Sequence, residues 1–141
     1  MLSDKAMLEL CRLYYNEETF EHAKRVAEYA MDIYKLYNYY KAGEEKFIYH
    51  LALAHDLYED TDISQNIWFD NNFEGNLQLL TKDEDVSYND YIAKIRKEAV
   101  IPTYKPAYIV KLADMKDHLS QTETLTEELK NKYISAMKYL L

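Results

Sequence analysis

Glycine and proline are scarce in this chain, and their scarcity restricts the fold more than any other feature. Only 2 of the 141 residues are glycine and only 2 are proline. β-Sandwiches and barrels need frequent tight turns, which rely on these two residue types. Apolar residues recur instead at the spacings of amphipathic helices. The sequence therefore predicts an all-α fold, a compact single-domain bundle of about six or seven helices that spans residues 1–141.

The composition is typical of a soluble globular protein with an acidic surface. The formal net charge is −8 at pH 7, so the average surface repels nucleic acid, and we expect no nucleic-acid partner. No apolar run approaches the roughly 20 residues that cross a bilayer. The first residues also lack the basic-then-apolar pattern of a secretory signal. We therefore expect a cytoplasmic protein with no membrane partner. Its 15 tyrosines and an amphipathic C-terminal helix would permit a homodimer.

Capping residues and hydrophobic spacing locate the expected helices. Helices are expected at about Asp4–Tyr15, Glu17–Asn38, Glu44–Glu59, Asn76–Leu80, Tyr88–Glu98, Pro106–Leu119 and from Thr124 to the end. The more polar stretch Asp60–Asn76 indicates a loop with a short helix near Ile63–Phe69. Gly43 suits a left-handed C-cap that ends the second helix. The segment Phe47–His55 is apolar nearly all round, which predicts a central, buried helix.

The end of this central helix carries one histidine and three carboxylates. Asp56 follows His55 directly, and Glu59 and Asp60 come one turn later. On a helix, residues four apart share a face. Burying carboxylates is costly unless they are paired or bind a metal. The pattern therefore indicates a functional cluster rather than packing alone.

Two distant residues can complete this cluster. His22 lies beside the apolar stripe of the second helix, and Asp114 follows the core-like run Ile109–Ala113. Two imidazoles and two carboxylates suit a divalent transition metal, with manganese or iron favoured over calcium and zinc also possible. Such an ion can activate water and polarise a phosphoryl oxygen, which predicts a hydrolytic reaction.

The order His22, His55-Asp56, Asp114 resembles the signature of the HD superfamily of metal-dependent phosphohydrolases. More narrowly, Ala52–Thr61 looks like the HD-x-x-ED-T segment of alarmone hydrolases of the Rel/Spo type, which remove the 3′-pyrophosphate of (p)ppGpp. Val110–Asp114 looks like their second signature, and Leu80-Thr81-Lys82 is similar to the short segment between the two. The resemblance covers roughly Phe20–Leu119.

This resemblance implies an HD-type helical fold and specific roles for the matching residues. His22, His55, Asp56 and Asp114 would hold a divalent metal, with manganese as the first choice. Glu59 and Asp60 would position and deprotonate the attacking water. The residues that we expect near a nucleotide substrate are four cations, one tyrosine and one histidine: Lys24, Arg25, Lys111, Lys116, Tyr58 and His118. For Tyr58, packing under the Asp60–Asn76 segment is the alternative.

Two departures from the family pattern keep further hypotheses open. His118 stands where the family has an asparagine, and the arginine-containing loop before the first histidine is not recognisable. The leading hypothesis is a metal-dependent phosphohydrolase of a nucleotide, with (p)ppGpp as the first substrate to test. The alternatives are a hydrolase of another nucleotide, a nucleotide-binding or sensor protein of the HD fold without turnover, and an acidic helical bundle without a metal.

Overall fold

The computed structural model describes residues 2–36, 43–67 and 69–141. The helices in these ranges are α1 Asp4–Tyr14, α2 Glu17–Tyr34, α3 Glu44–Ala54, α4 Leu57–Asp60, α5 Asn71–Leu79, α6 Tyr88–Glu98, α7 Lys105–Ser120 and α8 Glu127–Leu140. Two short 3-10 helices lie at Ile63–Gln65 and Pro102–Tyr104. The described residues contain no β-strand, so the all-α prediction is confirmed. Seven of these α-helices are longer than the single turn of α4.

Three helices, α2, α3 and α7, form the centre of the bundle. Helix α2 packs against both α3 and α7, which also contact each other. The remaining helices cover this centre: α1 and α5 lie on α3, whereas α6 and α8 lie on α7 and on each other. The buried face of α2 follows the predicted apolar stripe, with Phe20, Ala23, Val26, Ala27, Ala30 and Tyr34. Its alanines have small side chains, which let α3 and α7 approach closely.

Helix α3 is the central helix that its apolar sequence predicts. From Ile48 to Ala54 every side chain except that of Tyr49 is buried. No helix in the described parts of the chain has the length and apolar character that crossing a membrane requires. The burial of α3 therefore arises from its neighbours α1, α2, α5 and α7.

Side-chain caps explain where most helices begin. The Ser87 side chain accepts a hydrogen bond from the Asp90 N–H and starts α6 as predicted. The cap of α8 is Thr126 rather than Thr124, because Thr126 accepts from the Leu129 N–H. The predicted loop before Asn76 is wrong, since Asp70 caps α5 and the helix begins at Asn71.

The left-handed conformation predicted at Gly43 is present, but as the N-cap of α3. This residue has φ 81° and lies directly before α3. Glycine adopts such a φ without the steric cost that a side chain would bring. The predicted end of the second helix at Asn38 lies outside the described residues.

The chain breaks its helix at His55 and Asp56, where one continuous helix was predicted. Asp56 has φ −100° and ψ 2°, outside the helical region, and separates α3 from α4. A hydroxyl from another part of the chain satisfies the backbone there. Tyr15 Oη donates to the Leu53 carbonyl at 2.8 Å and accepts from the Asp56 N–H at 3.2 Å. The sequence shows no glycine or proline at this point, so the break has no local signal.

Candidate metal centre

Four side chains from three parts of the fold converge beside this break, and we call them the His–Asp cluster: His22, His55, Asp56 and Asp114. His22 Nε2 lies 3.0 Å from Asp114 Oδ1 and 3.6 Å from Asp56 Oδ2. His55 Nε2 lies 3.2 Å from Asp56 Oδ2 and 3.3 Å from Asp114 Oδ1. Helix α2, the α3–α4 junction and α7 therefore bring together the four residues that the sequence singled out as metal ligands.

The separations within the cluster suit ligands of one ion. Two ligand atoms at right angles, each about 2.1 Å from an ion, are about 3.0 Å apart. A fifth group lies nearby, because His118 Nε2 is 3.2 Å from Asp114 Oδ1. Two overlapping sets have ligand atoms within 4.8 Å of one another, namely His22, Asp114 and His118, and His22, His55 and Asp56. These residues could hold a metal ion.

The ring of His55 is oriented as a metal ligand requires. The ring is buried, and its Nδ1 lies 2.6 Å from the Ala52 carbonyl oxygen, so Nδ1 carries the proton and donates. Its buried Nε2 lies within ion-pair distance of Asp56 and Asp114 but is aligned for a hydrogen bond with no group among the described residues. A buried polar atom of this kind needs a partner. In the neutral ring the Nε2 lone pair is available for an ion.

His22 is held by a carboxylate that the sequence analysis missed. Its Nδ1 lies 2.6 Å from Oδ2 of the buried Asp117, which leaves Nε2 to face the cluster. Arg25 fixes that carboxylate in turn, with Nε donating to Oδ1 at 2.7 Å and Nη2 donating to Oδ2 at 3.1 Å. A carboxylate behind a histidine fixes its tautomer and makes it a more basic ligand.

A spacing shared by two helices could have revealed Asp117. His22 and Arg25 are three residues apart on α2, and Asp114 and Asp117 are three residues apart on α7. Because both helices present successive turns to each other, the two pairs meet. Arg25, which was expected near the substrate, therefore lies against Asp117.

Lys111 balances part of the negative charge of the cluster. Its buried Nζ lies 2.9 Å from Asp114 Oδ2, so the other carboxylate oxygen, Oδ1, faces the histidines. Burial opposes ionisation of Asp114, but Lys111 and the neighbouring imidazoles hold its pKa well below the usual value. Burial also opposes a charged imidazole, yet the carboxylates of Asp56 and Asp114 raise the pKa of His55 well above the usual value. A metal ion at this cluster would therefore compete with protons for the same imidazole nitrogens.

A cleft of about 210 Å³ adjoins the cluster. Besides cluster residues, its walls contain predicted site residues and others that the sequence analysis did not single out: Glu59, Lys111, His118, Lys82, Tyr88, Tyr91, Lys132 and Tyr133. The Lys82 N–H donates to Glu59 Oε1 at 2.5 Å. Desolvation raises the pKa of Glu59 and that of Asp60. Both carboxylates thereby become stronger bases.

Two of the predicted cations have contacts elsewhere. Lys24 Nζ lies 2.7 Å from Glu21 Oε1 on the surface of α2. Lys116 Nζ lies 4.7 Å from the centre of the Tyr29 ring and borders an apolar groove rather than the cleft. Of the four predicted cations, only Lys111 lines the cleft.

Tyr58 packs against the segment that follows α4. Its hydroxyl donates to Glu74 Oε2 at 2.5 Å, and its ring lies 6.3 Å from that of Phe69. These contacts fit the packing alternative, and Tyr58 does not line the cleft.

Comparison with known proteins adds no further assignment. No model of a known protein family matches this chain, and no curated protein matches it.

Proposed function

We propose that this chain is a metal-dependent phosphohydrolase of the HD type that acts on a nucleotide. One observation carries the proposal. Two imidazoles meet two carboxylates, and in both rings the nitrogen that faces away is fixed, by the Ala52 carbonyl for His55 and by Asp117 for His22. With these nitrogens occupied, Nε2 of each ring is left to face the two carboxylates, as the ligands of one ion require.

The donor set supports a divalent transition metal, and we propose manganese. His22, His55, Asp56 and Asp114 would hold the ion, and His118 is near enough to join them. Mixed nitrogen and oxygen ligands suit manganese or iron better than calcium. When bound, such an ion lowers the pKa of water and polarises a phosphoryl oxygen.

Glu59 is the proposed general base. The Lys82 N–H holds its Oε1, so Oε2 is the oxygen that would accept the proton of the attacking water. Desolvation raises the pKa of Glu59, which makes its carboxylate a stronger base for this transfer. Asp60 follows on the same helical turn, and we assign to it the positioning of the water. Its raised pKa arises from desolvation and from the charge of Asp56.

The size of the cleft supports a phosphate group as the buried part of the substrate. Its volume of about 210 Å³ is below that of pockets that enclose a drug-sized ligand, which begin at roughly 300 Å³. The nucleoside would therefore lie largely outside the cleft. We propose (p)ppGpp as the first substrate, on the resemblance of Ala52–Thr61 to alarmone hydrolases.

A second candidate is hydrolysis of another nucleotide. His118 lies 3.2 Å from Asp114 where the alarmone hydrolases have an asparagine, so the ligand environment differs from theirs. Arg25, the arginine expected near the substrate, is bound to Asp117. Both contacts favour a substrate whose nucleoside is recognised by other residues than in the alarmone hydrolases.

The test is a panel of nucleotides incubated with the manganese-loaded protein. We expect release of pyrophosphate from (p)ppGpp and no release after a chelator is added. Cleavage of another nucleotide but not of (p)ppGpp would support the phosphohydrolase activity and exclude (p)ppGpp as its substrate. Bound metal without turnover of any nucleotide would favour the non-catalytic sensor. Absence of bound metal, with a melting temperature insensitive to chelator, would favour the purely structural bundle.

A further inference from the structure

Tyr88 lies in the wall that α6 and α8 contribute to the cleft, and its hydroxyl has no partner. The hydroxyl oxygen is buried and makes no hydrogen bond within the described residues. The ring lines the cleft, and the charges that act on the hydroxyl include those of Lys111, Asp114 and Glu59. Burial raises the pKa of Tyr88, so the group stays protonated and can donate. A buried donor of this kind needs an acceptor, and a ligand in the cleft can supply one.

Lys132 of α8 brings a positive charge to the same wall. Its exposed Nζ lies 4.1 Å from the centre of the Tyr88 ring. No carboxylate pairs with it within the ranges that the structure describes. Lys111, by contrast, is neutralised by Asp114 at 2.9 Å. In a protein with a net charge of −8, an unpaired ammonium at a cleft creates a local site for an anion.

A short series of contacts connects this wall to the His–Asp cluster. Lys111 Nζ, which binds Asp114, lies 5.9 Å from the centre of the Tyr88 ring, and Lys132 lies over the same ring. The cleft that contains all of these residues has a volume of only about 210 Å³. Two linked phosphate groups can therefore reach the cluster with one phosphate and this wall with the other.

We propose that Tyr88 and Lys132 bind the second phosphate of a diphosphate group whose first phosphate lies at the His–Asp cluster. Tyr88 Oη donates a hydrogen bond to that phosphate, and Lys132 supplies the opposite charge. The inference rests on the proposed function for the reaction, and it narrows the substrate class to nucleotides with a diphosphate. A single phosphate occupies the cluster alone and gains nothing from this wall.

The experiment measures binding without turnover. Manganese-loaded protein, freed of excess metal, is titrated calorimetrically with inorganic pyrophosphate and with inorganic phosphate. We expect Tyr88→Phe and Lys132→Gln each to weaken pyrophosphate binding about tenfold, the loss expected for one hydrogen bond or ion contact to a charged group. Phosphate binding should stay within about twofold by the same reasoning. The matched controls Tyr139→Phe and Lys130→Gln change exposed residues of α8 and should leave both affinities unchanged.

The outcomes separate this inference from the proposed function. Unchanged pyrophosphate affinity in both variants would overturn the inference, as would a wild-type protein that binds the two anions equally well. Lys132 is exposed, so Lys132→Gln keeps the test valid even where Tyr88→Phe fails to fold. Failure of the wild-type protein to hydrolyse any nucleotide would overturn the proposed function alone, because the anion affinities are measured without catalysis.

Discussion

Two regions of the molecule place histidines against carboxylates, and they differ in how many imidazoles share one carboxylate oxygen. In the first, His50 Nε2 lies 2.7 Å from Asp4 Oδ1, and the Asp4 side chain is 61% exposed. One imidazole thus meets one carboxylate, and water can satisfy the rest of that carboxylate. In the second, Asp114 Oδ1 alone faces three imidazole Nε2 atoms, those of His22, His55 and His118, at 3.0 to 3.3 Å.

Hydrogen bonds explain the first arrangement but not the second. A carboxylate oxygen has about two lone-pair sites, so Asp114 Oδ1 cannot accept well from three donors at once. A cation between the oxygen and the nitrogens satisfies all of them together. The His50–Asp4 pair is therefore an ordinary structural contact and an internal control for every experiment on the cluster.

The largest difference between the two regions is expected from removing a carboxylate in each. Asp56→Ala should abolish both metal binding and metal-dependent hydrolysis, because it deletes a ligand. Asp4→Ala should leave both unchanged. Elemental analysis and an assay of product release measure the two effects. Equal metal content in the two variants would refute the assignment of Asp56 as a ligand.

The second expected effect separates the ligands from the general base. Glu59→Gln should retain the metal and lower kcat by about 100- to 10,000-fold, because an amide cannot take the proton of water. The matched control is Glu84→Gln in the exposed loop before α6, which should leave kcat unchanged. Metal loss in Glu59→Gln as severe as that in Asp56→Ala would show that Glu59 is itself a ligand.

A smaller effect is expected from the carboxylate behind His22. Asp117→Asn should weaken metal affinity about 10- to 100-fold, because it removes the charge that orients the ring and raises its basicity. Asp4→Asn makes the same chemical change beside His50 and should not alter metal affinity. Titration with manganese distinguishes the two variants. Unchanged affinity in Asp117→Asn would mean that Asp117 serves only packing.

The smallest expected effect is the dependence of metal affinity on pH. In the metal-free protein, burial opposes the charged imidazoles, but Asp114 and Asp56 raise the pKa of both His22 and His55. These ion pairs stabilise the metal-free fold below the ordinary histidine pKa, and this contribution is lost as pH rises through the raised values. Metal binding displaces the protons, so affinity should rise with pH, by at most about tenfold per unit for each proton released. Manganese titrations at pH values below and above the ordinary histidine pKa measure this dependence. A metal affinity that does not change with pH would contradict competition between protons and the metal.

Sequence reasoning succeeded where the signal was local. The apolar spacing of α2 and α3 and the cap at Ser87 are features of neighbouring residues. Helix α6 has its predicted bounds, and α2 and α3 begin at their predicted residues. The four cluster residues were found because a carboxylate after a long apolar run is unusual. Their convergence then required only that three helices of one bundle meet.

The site residues that could not be predicted from the sequence have roles that depend on contacts between distant segments. The role of Asp117 requires knowing which face of α7 meets α2, and that of Lys132 requires knowing that α8 borders the cleft. For the same reason Lys24 and Lys116 were expected near the substrate but lie against Glu21 and Tyr29. The sequence alone does not indicate in which direction a lysine side chain on a helix surface points.

The hydroxyl of Tyr15 gives the break between α3 and α4 a further consequence. Tyr15, the residue that ends α1, satisfies the Asp56 N–H and shares the Leu53 carbonyl with Cys11 of α1, so both backbone groups lose these partners whenever this end of α1 detaches. Local opening of one peripheral helix usually has a low free-energy cost and leaves the other helices folded. Here the opening of α1 would expose the junction that carries His55 and Asp56. Helix α1 and the α3–α4 junction are therefore expected to open as one cooperative unit, with hydrogen exchange of the amides in both following that common opening.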